Sequence, residues 1–266
     1  TTVPAVLAVD AEKGFALYQW IHGEAISNPV DDDIEAALDF IESLKKLTGA
    51  AAGENLPEAS EACLSGAELV RQLDARFAAL QGVASQDPQL SGFLGQAFAP
   101  TLIAAKAWAQ DGYRRAGVDF ALDISPDQRT LSPSDFGFHN ALRAADGDIV
   151  FVDFEYFGWD DPVKITADFL LHPAMALSSA HKSRFSEGAA IIFADDIFYA
   201  ERLRLLFPLY GLRWCLIILN EFLDEKWSRR RFAESELTQD QAKQRQLKKA
   251  YTMINAVQTG LEREKK

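Results

Sequence analysis

Residues 132–157, S-P-S-D-F-G-F-H-N-A-L-R-A-A-D-G-D-I-V-F-V-D-F-E-Y-F, constrain the fold more than any other part of the chain. Asp146-Gly147 is a strong two-residue turn signal: the primed turns that match strand twist need positive φ at both central residues, which Gly adopts freely and Asp tolerates. Such a turn sets Ala144 opposite Ile149 and, at the open end of the ribbon, Asn140 opposite Asp153. Cross-strand Cβ atoms lie about 5 Å apart. Asp135, Asn140 and Asp153 are therefore expected to form one polar cluster.

Ile149-Val150-Phe151-Val152 precede Asp153 and Phe154 follows it, so its carboxylate is expected at the end of a buried strand. An ionised carboxylate there needs an ion partner or a metal. Mg²⁺ takes oxygen ligands, few from protein and the rest from water and substrate phosphates. Asn140 and Asp153 supply such a pair. Asp135 lies five residues before Asn140 in a loop opened by Ser132-Pro133, and remains as a second carboxylate able to accept a proton from an attacking hydroxyl. The plainer alternative is a hairpin whose polar residues only cap its ends.

D-x-x-x-x-N, followed thirteen residues later by an Asp at the end of an apolar strand, resembles the catalytic loop and metal-binding Asp of the protein-kinase-like fold. The run V-D-F-E-Y-F-G-W-D-D-P and the later A-D-F, with Asp153, Glu155, Asp160, Asp161, Pro162 and Asp168, are similar to the aminoglycoside phosphotransferase and choline kinase family. The resemblance implies an α+β, protein-kinase-like fold: a remnant β-hairpin of the N-terminal lobe and a mainly helical C-terminal lobe carrying the catalytic β-hairpin. It implies Asp135 as catalytic base, Asn140 and Asp153 as Mg²⁺ ligands, ATP as donor and a small-molecule hydroxyl as acceptor. The later aspartates would stabilise the C-terminal lobe. Asp135-Phe136-Gly137 spells the D-F-G of protein kinases, yet no apolar strand precedes it and Asn140 follows, so it matches the catalytic loop. The family's His two residues before the catalytic Asp is replaced by Pro133, so other contacts must hold the loop. His139 is a candidate for part of that role, or else a satisfied loop histidine.

Ala5–Val9 and Phe15–Trp20 read as two strands around a turn at residues 10–14. A lobe boundary follows at about Gly23 to Val30, dividing a partial N-terminal lobe, residues 1–23, from a C-terminal lobe, residues 24–266. By the resemblance Gln19, Trp20 and Ile21 form the hinge that meets adenine. Asp31 to Asp33 offer an N-cap for a helix with Ile34, Leu38, Ile41 and Leu44 on one face. Thr48 to Ala59 is small and polar and is expected to be a mobile connection. Helical patterns cover 61–82, with Leu64, Val70, Leu73, Phe77 and Leu80, and 89–117, with Pro88 and Pro100 as punctuation; later ones cover 163–171, 182–197, 201–225 and 239–260. No G-x-G-x-x-G or G-K-[ST] occurs and no Lys precedes Lys13, so the chain is expected to begin mid-lobe.

With 48% hydrophobic and 25% charged residues, the 266-residue chain can bury a sizeable core. Cys63 and Cys215 match no metal or redox spacing. A net charge of −12 argues against a nucleic-acid surface, which needs Lys and Arg. It serves solubility, or steering of a cationic acceptor. No apolar leader opens the chain, and runs such as Trp214–Leu219 are short of a membrane span, so a cytoplasmic protein with no membrane partner is expected. Glu155, Tyr156, Trp159 and Glu221 are candidates to line the acceptor site, with Trp214 more suited to the core. Arg229-Arg230-Arg231 reads as a solvated helix end. Two alternatives to a kinase stand beside it: a catalytically inactive binding module on the same scaffold, and a metal-dependent hydrolase, which lacks a nucleophile and a second ligand cluster.

Overall fold

The computed structural model describes residues 2–52, 55–230 and 238–264. The chain forms two compact units, Thr1–Ala62 with Ser125–Tyr199, and Cys63–Ile124 with Ala200–Lys266.

The first unit opens with the expected hairpin, β1 (Val6–Asp10) paired antiparallel with β2 (Phe15–Tyr18). Its apolar side chains stay in solvent: Val9 is 66% and Phe15 69% exposed. β3 (Gly23–Ala25) follows where a boundary was expected, pairing Gly23 with Ala144 and Ala25 with Leu142. That segment adds a third strand to the hairpin around Asp146-Gly147. Helix α1 (Asp31–Ala51) buries Ile34, Ala37, Leu38, Ile41 and Leu44, positions three or four apart that share one face. Each such aliphatic contributes roughly 1.5–3 kcal/mol on burial. Asp33 accepts the Val30 N–H at 2.7 Å and takes Arg143 Nη2 at 2.7 Å, which caps the helix and ties it to the hairpin.

Residues 48–51, expected in a mobile connection, belong to α1, which runs through Gly49 into the helix-favouring Ala50 and Ala51. Residues 57–59 are also tied down. Trp159 N–H donates to Pro57 O at 3.0 Å and Ala59 N–H to Trp159 O at 2.9 Å. Gly158 permits that approach, since a Cβ there would sit 2.4 Å from Pro57 O.

β4 (Thr130–Ser132) pairs with β7 (Gly158–Asp160), while β5 (Ala141–Ala144) pairs with both β3 and β6 (Ile149–Phe151). Helix α5 (Pro162–Leu171) starts at Asp161, whose Oδ1 accepts the Val163 N–H at 2.8 Å, with Pro162 at the first helical position. Helix α6 (Ser179–Ile192) packs on α1 through Gly188 and Leu38. Phe40, Phe136, Phe151, Phe138, Phe169 and Phe185 form a chain of ring contacts at 3.8–5.4 Å through the core of this unit.

The second unit is helical. α2 (Gly66–Ala84) begins later than the pattern predicts because Ser65 caps it, accepting the Glu68 N–H at 3.3 Å. α3 (Pro88–Gly92) runs through a π turn at Phe93–Phe98 into α4 (Ala99–Ala116), so Pro100 does not interrupt the helix: it lies in the first turn of α4. α7 (Tyr199–Ile218), α8 (Asp224–Arg230) and α9 (Gln239–Glu264) complete the unit. Trp214 is 8% exposed, as expected of a core residue. The segment Tyr199–Phe222 is, by length and a mean hydropathy of 1.3, apolar enough to cross a membrane, which the shorter run Trp214–Leu219 within it is not; 67% of that window is buried, the pattern of a core helix. The side chains of Arg229, Arg230 and Arg231 lie outside the described residues.

Candidate active site

The loop from Ser132 to Ala141 alternates its side chains. Phe136 and Phe138 point into the aromatic core, each 3% exposed, and this inward pair holds the intervening backbone against α5. Asp135 and His139 are left at the surface of that core. A short 3₁₀ turn, Phe138–Asn140, closes the loop, with the Asn140 N–H donating to Gly137 O at 3.0 Å. Met175 Sδ accepts the Phe138 N–H at 3.1 Å.

Asp135 is held from three sides. Asn140 Nδ2 donates to its carbonyl at 3.0 Å, so Oδ1 is the Asn140 atom with lone pairs to offer a cation. His139 Nε2 lies 2.9 Å from Asp135 Oδ1, and His172 Nε2 lies 4.0 Å from the same oxygen. Burial pushes the Asp135 carboxyl up, but the hydrogen bond and charge of His139, with His172 and Asn140, outweigh it and hold the group below its ordinary value.

The hairpin turn forms at the expected place with a different length. Ala144 N–H donates to Asp148 O and Gly147 N–H to Ala144 O, both at 2.9 Å, so the loop is Ala145-Asp146-Gly147. Gly147 alone has positive φ, +92°, which makes a three-residue turn with a left-handed last residue in place of the two-residue primed turn. The register moves by one. Ala141 faces Phe151, Asn140 O accepts the Val152 N–H at 2.9 Å, and Asp153 does not stand directly opposite Asn140 as the sequence predicts.

Asp153 instead adopts a left-handed backbone, φ +67°, just past the strand end. It is exposed, not buried as expected, because β6 ends at Phe151. Partial burial first, then the carboxylates of Glu155 and Asp135, raise its pKa, against a smaller lowering by His139. Asp135 and Asp153 are thus close enough to interact and have opposite shifts. One carboxylate is already served by imidazoles; the other is surrounded by like charge and suits a cation.

An oxygen donor set of Asn140 Oδ1 and the Asp153 carboxylate fits a hard divalent ion such as Mg²⁺. The ligand atoms of Asp135, His139 and His172 also lie within 4.8 Å of one another. These two imidazoles do not suit one metal. Their rings stack at 3.7 Å and 4°, so their lone pairs lie in separate parallel planes and cannot both point in-plane at one ion. His172 Nδ1 also accepts the Ala174 N–H at 3.2 Å, which makes Nε2 the protonated nitrogen of the neutral ring.

Among the remaining candidates, Glu155 and Tyr156 flank Asp153, and the Glu155 carboxylate raises the pKa of the exposed Tyr156 phenol. Trp159 is half-buried in β7. Glu221 lies in the second unit, 2% exposed, its Oε1 accepting from Gln246 Nε2 at 2.8 Å. Gln19 N–H donates to Ala5 O at 2.8 Å, and Trp20 is 79% exposed. His172 and Lys164 also reach this loop, at Asp135 and Ser134 respectively; the sequence alone does not single out His172, Lys164 or Ser134 as site residues. Only Lys164 carried a signal, a cation in an apolar helix with Asp160 and Asp168 four residues to either side.

No protein-family model matches the sequence, and no curated protein does. Solved structures do. A choline/ethanolamine kinase family protein from Mesorhizobium loti superposes with a TM-score of 0.58 at 15% identity, over 98% of this chain and 78% of that one. Choline kinase from Cryptosporidium parvum gives 0.55 at 8% identity, over 98% and 76%. The gentamicin complex of APH(2'')-IIa gives 0.53 at 14%, over 98% and 76%. At such identities the likeness is one of fold, and the chain has the protein-kinase-like fold that these proteins share.

Proposed function

We propose that the protein is an ATP-dependent phosphotransferase that moves the γ-phosphoryl group to a hydroxyl of a small molecule. The observation that carries this reading is the division of labour between two neighbouring carboxylates, Asp135 held low by His139 against its own burial and Asp153 raised by partial burial and then by its acidic neighbours. Asp135 Oδ1 is occupied by His139, so Oδ2 is the atom that accepts the acceptor's proton and orients its oxygen for in-line attack. Asn140 and Asp153 would hold Mg²⁺, which when bound neutralises charge on the phosphate oxygens. Gln19 has already committed its N–H to Ala5, so Trp20 and Ile21 are the hinge groups assigned to adenine. Glu155 and Tyr156, beside Asp153, are assigned to the acceptor side. The location assigned is the cytoplasm, where Cys63 and Cys215, both buried and in no disulfide, stay reduced.

The test is mass-spectrometric detection of a phosphorylated product from Mg·ATP across a panel of amino alcohols, amino sugars and sugars. A product 80 Da heavier than an acceptor, the mass of one added phosphoryl group, supports transfer. ATP binding with no product from any acceptor would leave a binding module, and ATP hydrolysis alone would point to a hydrolase.

A further inference from the structure

The residue before Asp135 is in a backbone conformation that a side chain resists. Ser134 has φ +67°, left-handed and not glycine. Such strain persists only where the surroundings over-determine it, and it gathers at functional sites. Three contacts hold Ser134. Its N–H donates to Ser132 Oγ at 3.0 Å, its hydroxyl donates to Ser60 O at 2.7 Å, and Lys164 Nζ donates to that same hydroxyl at 3.3 Å.

Lys164 is no ordinary surface lysine. It is 0% exposed, and its ammonium lies 3.1 Å from Asp160 and 3.4 Å from Asp168, both buried. An ammonium enclosed in this way is balanced by the two carboxylates beside it. Its position is therefore fixed by Asp160 at the end of β7 and by Asp168 on α5, and it holds the Ser134 hydroxyl in turn. Pro133 offers the loop no N–H donor of its own.

We propose that Ser134 and Lys164 are positioning residues for Asp135: the buried lysine, through the Ser134 hydroxyl, holds the left-handed backbone that aims the Asp135 carboxylate. This rests on the assignment of Asp135 to the acceptor hydroxyl. Neither residue touches a substrate in this account; both act through the loop.

Ser134→Gly separates positioning from folding. Glycine takes positive φ without penalty, so the variant is expected to melt no lower than the parent while losing both hydroxyl contacts. Transfer kcat is expected to fall about 10- to 100-fold, the scale of a catalytic group misplaced by an ångström, with KM for ATP within about twofold. Ser134→Ala, which keeps the strain and loses the contacts, is expected to show the same kcat and a lower Tm. Amide hydrogen exchange across residues 135–140 supplies a readout that needs no activity. The Asp135 N–H, now bonded to Pro133 O at 2.9 Å, is expected to exchange at least about tenfold faster in Ser134→Gly. Faster exchange supports the anchor even if the parent transfers no phosphoryl group, which would overturn the kinase reading alone. A Ser134→Gly protein with parental exchange and parental kcat would overturn this proposal.

Discussion

His139 Nε2 lies 2.9 Å from Asp135 Oδ1 while the His139 ring lies flat on that of His172 at 3.7 Å. The stack fixes the plane of His139, and the hydrogen bond then fixes Asp135 Oδ1, leaving Oδ2 as the oxygen the proposed function assigns to the acceptor. His139→Ala is expected to lower kcat by about 10-fold or more with little change in ATP affinity, since orienting contributions of this kind run to about 10²-fold and beyond. Steady-state kinetics with separate kcat and KM check it, and an unchanged kcat would contradict it.

The same pair predicts an acid limb of stability. The folded-state pKa of Asp135 lies below the ordinary 3.8, so its contribution is complete above that value and is lost as pH falls through the lower folded one. His139→Ala removes the main group lowering it. Denaturant titrations below pH 4, without metal, are expected to show a shallower loss in the variant than in the parent.

Asp153 has the opposite sign. Its folded pKa is raised, so whatever stability the protonated form carries is present below 3.8 and lost as pH rises through the folded value, leaving an ionised group at a disadvantage at pH 7. Asp153→Asn removes that charge, and Asn tolerates the left-handed backbone at this position. The metal-free variant is expected to melt at or above the parent at pH 7. Millimolar Mg²⁺ with ATP is expected to raise the Tm of the parent and leave the variant unmoved.

Gly147→Ala tests the turn. Nothing lies within 4 Å of a Cβ there, so the cost comes only from φ +92° and is expected to be about 1–2 kcal/mol by chemical denaturation. A neutral substitution would contradict the three-residue turn.

The turn also shows where the sequence was legible and where it was not. Asp146-Gly147 marked the hairpin, but whether one or both residues take positive φ decides the loop length, and composition does not settle that choice. Only Gly147 is left-handed, and the one-residue shift moves Asn140 from Asp153 to Val152. The shared buried face of Ile34, Leu38, Ile41 and Leu44 and the burial of Trp214 follow from pattern and residue type. β3 was missed because three residues, Gly23 to Ala25, carry no strand period and are held only by pairing with β5. His172 was missed because its partners, Asp135 and His139, are more than thirty residues away in sequence and adjacent only in the fold.

Single-turnover transfer of labelled γ-phosphate from ATP to an accepted hydroxyl, compared between the parent and Asp135→Asn, tests the central assignment most directly. The account predicts a fall of about 10²- to 10⁴-fold in the rate of transfer with ATP affinity nearly unchanged, because Asp135 faces the acceptor while Asn140 and Asp153 face the phosphates. A variant within about threefold of the parent would remove Asp135 from the chemistry and contradict the account.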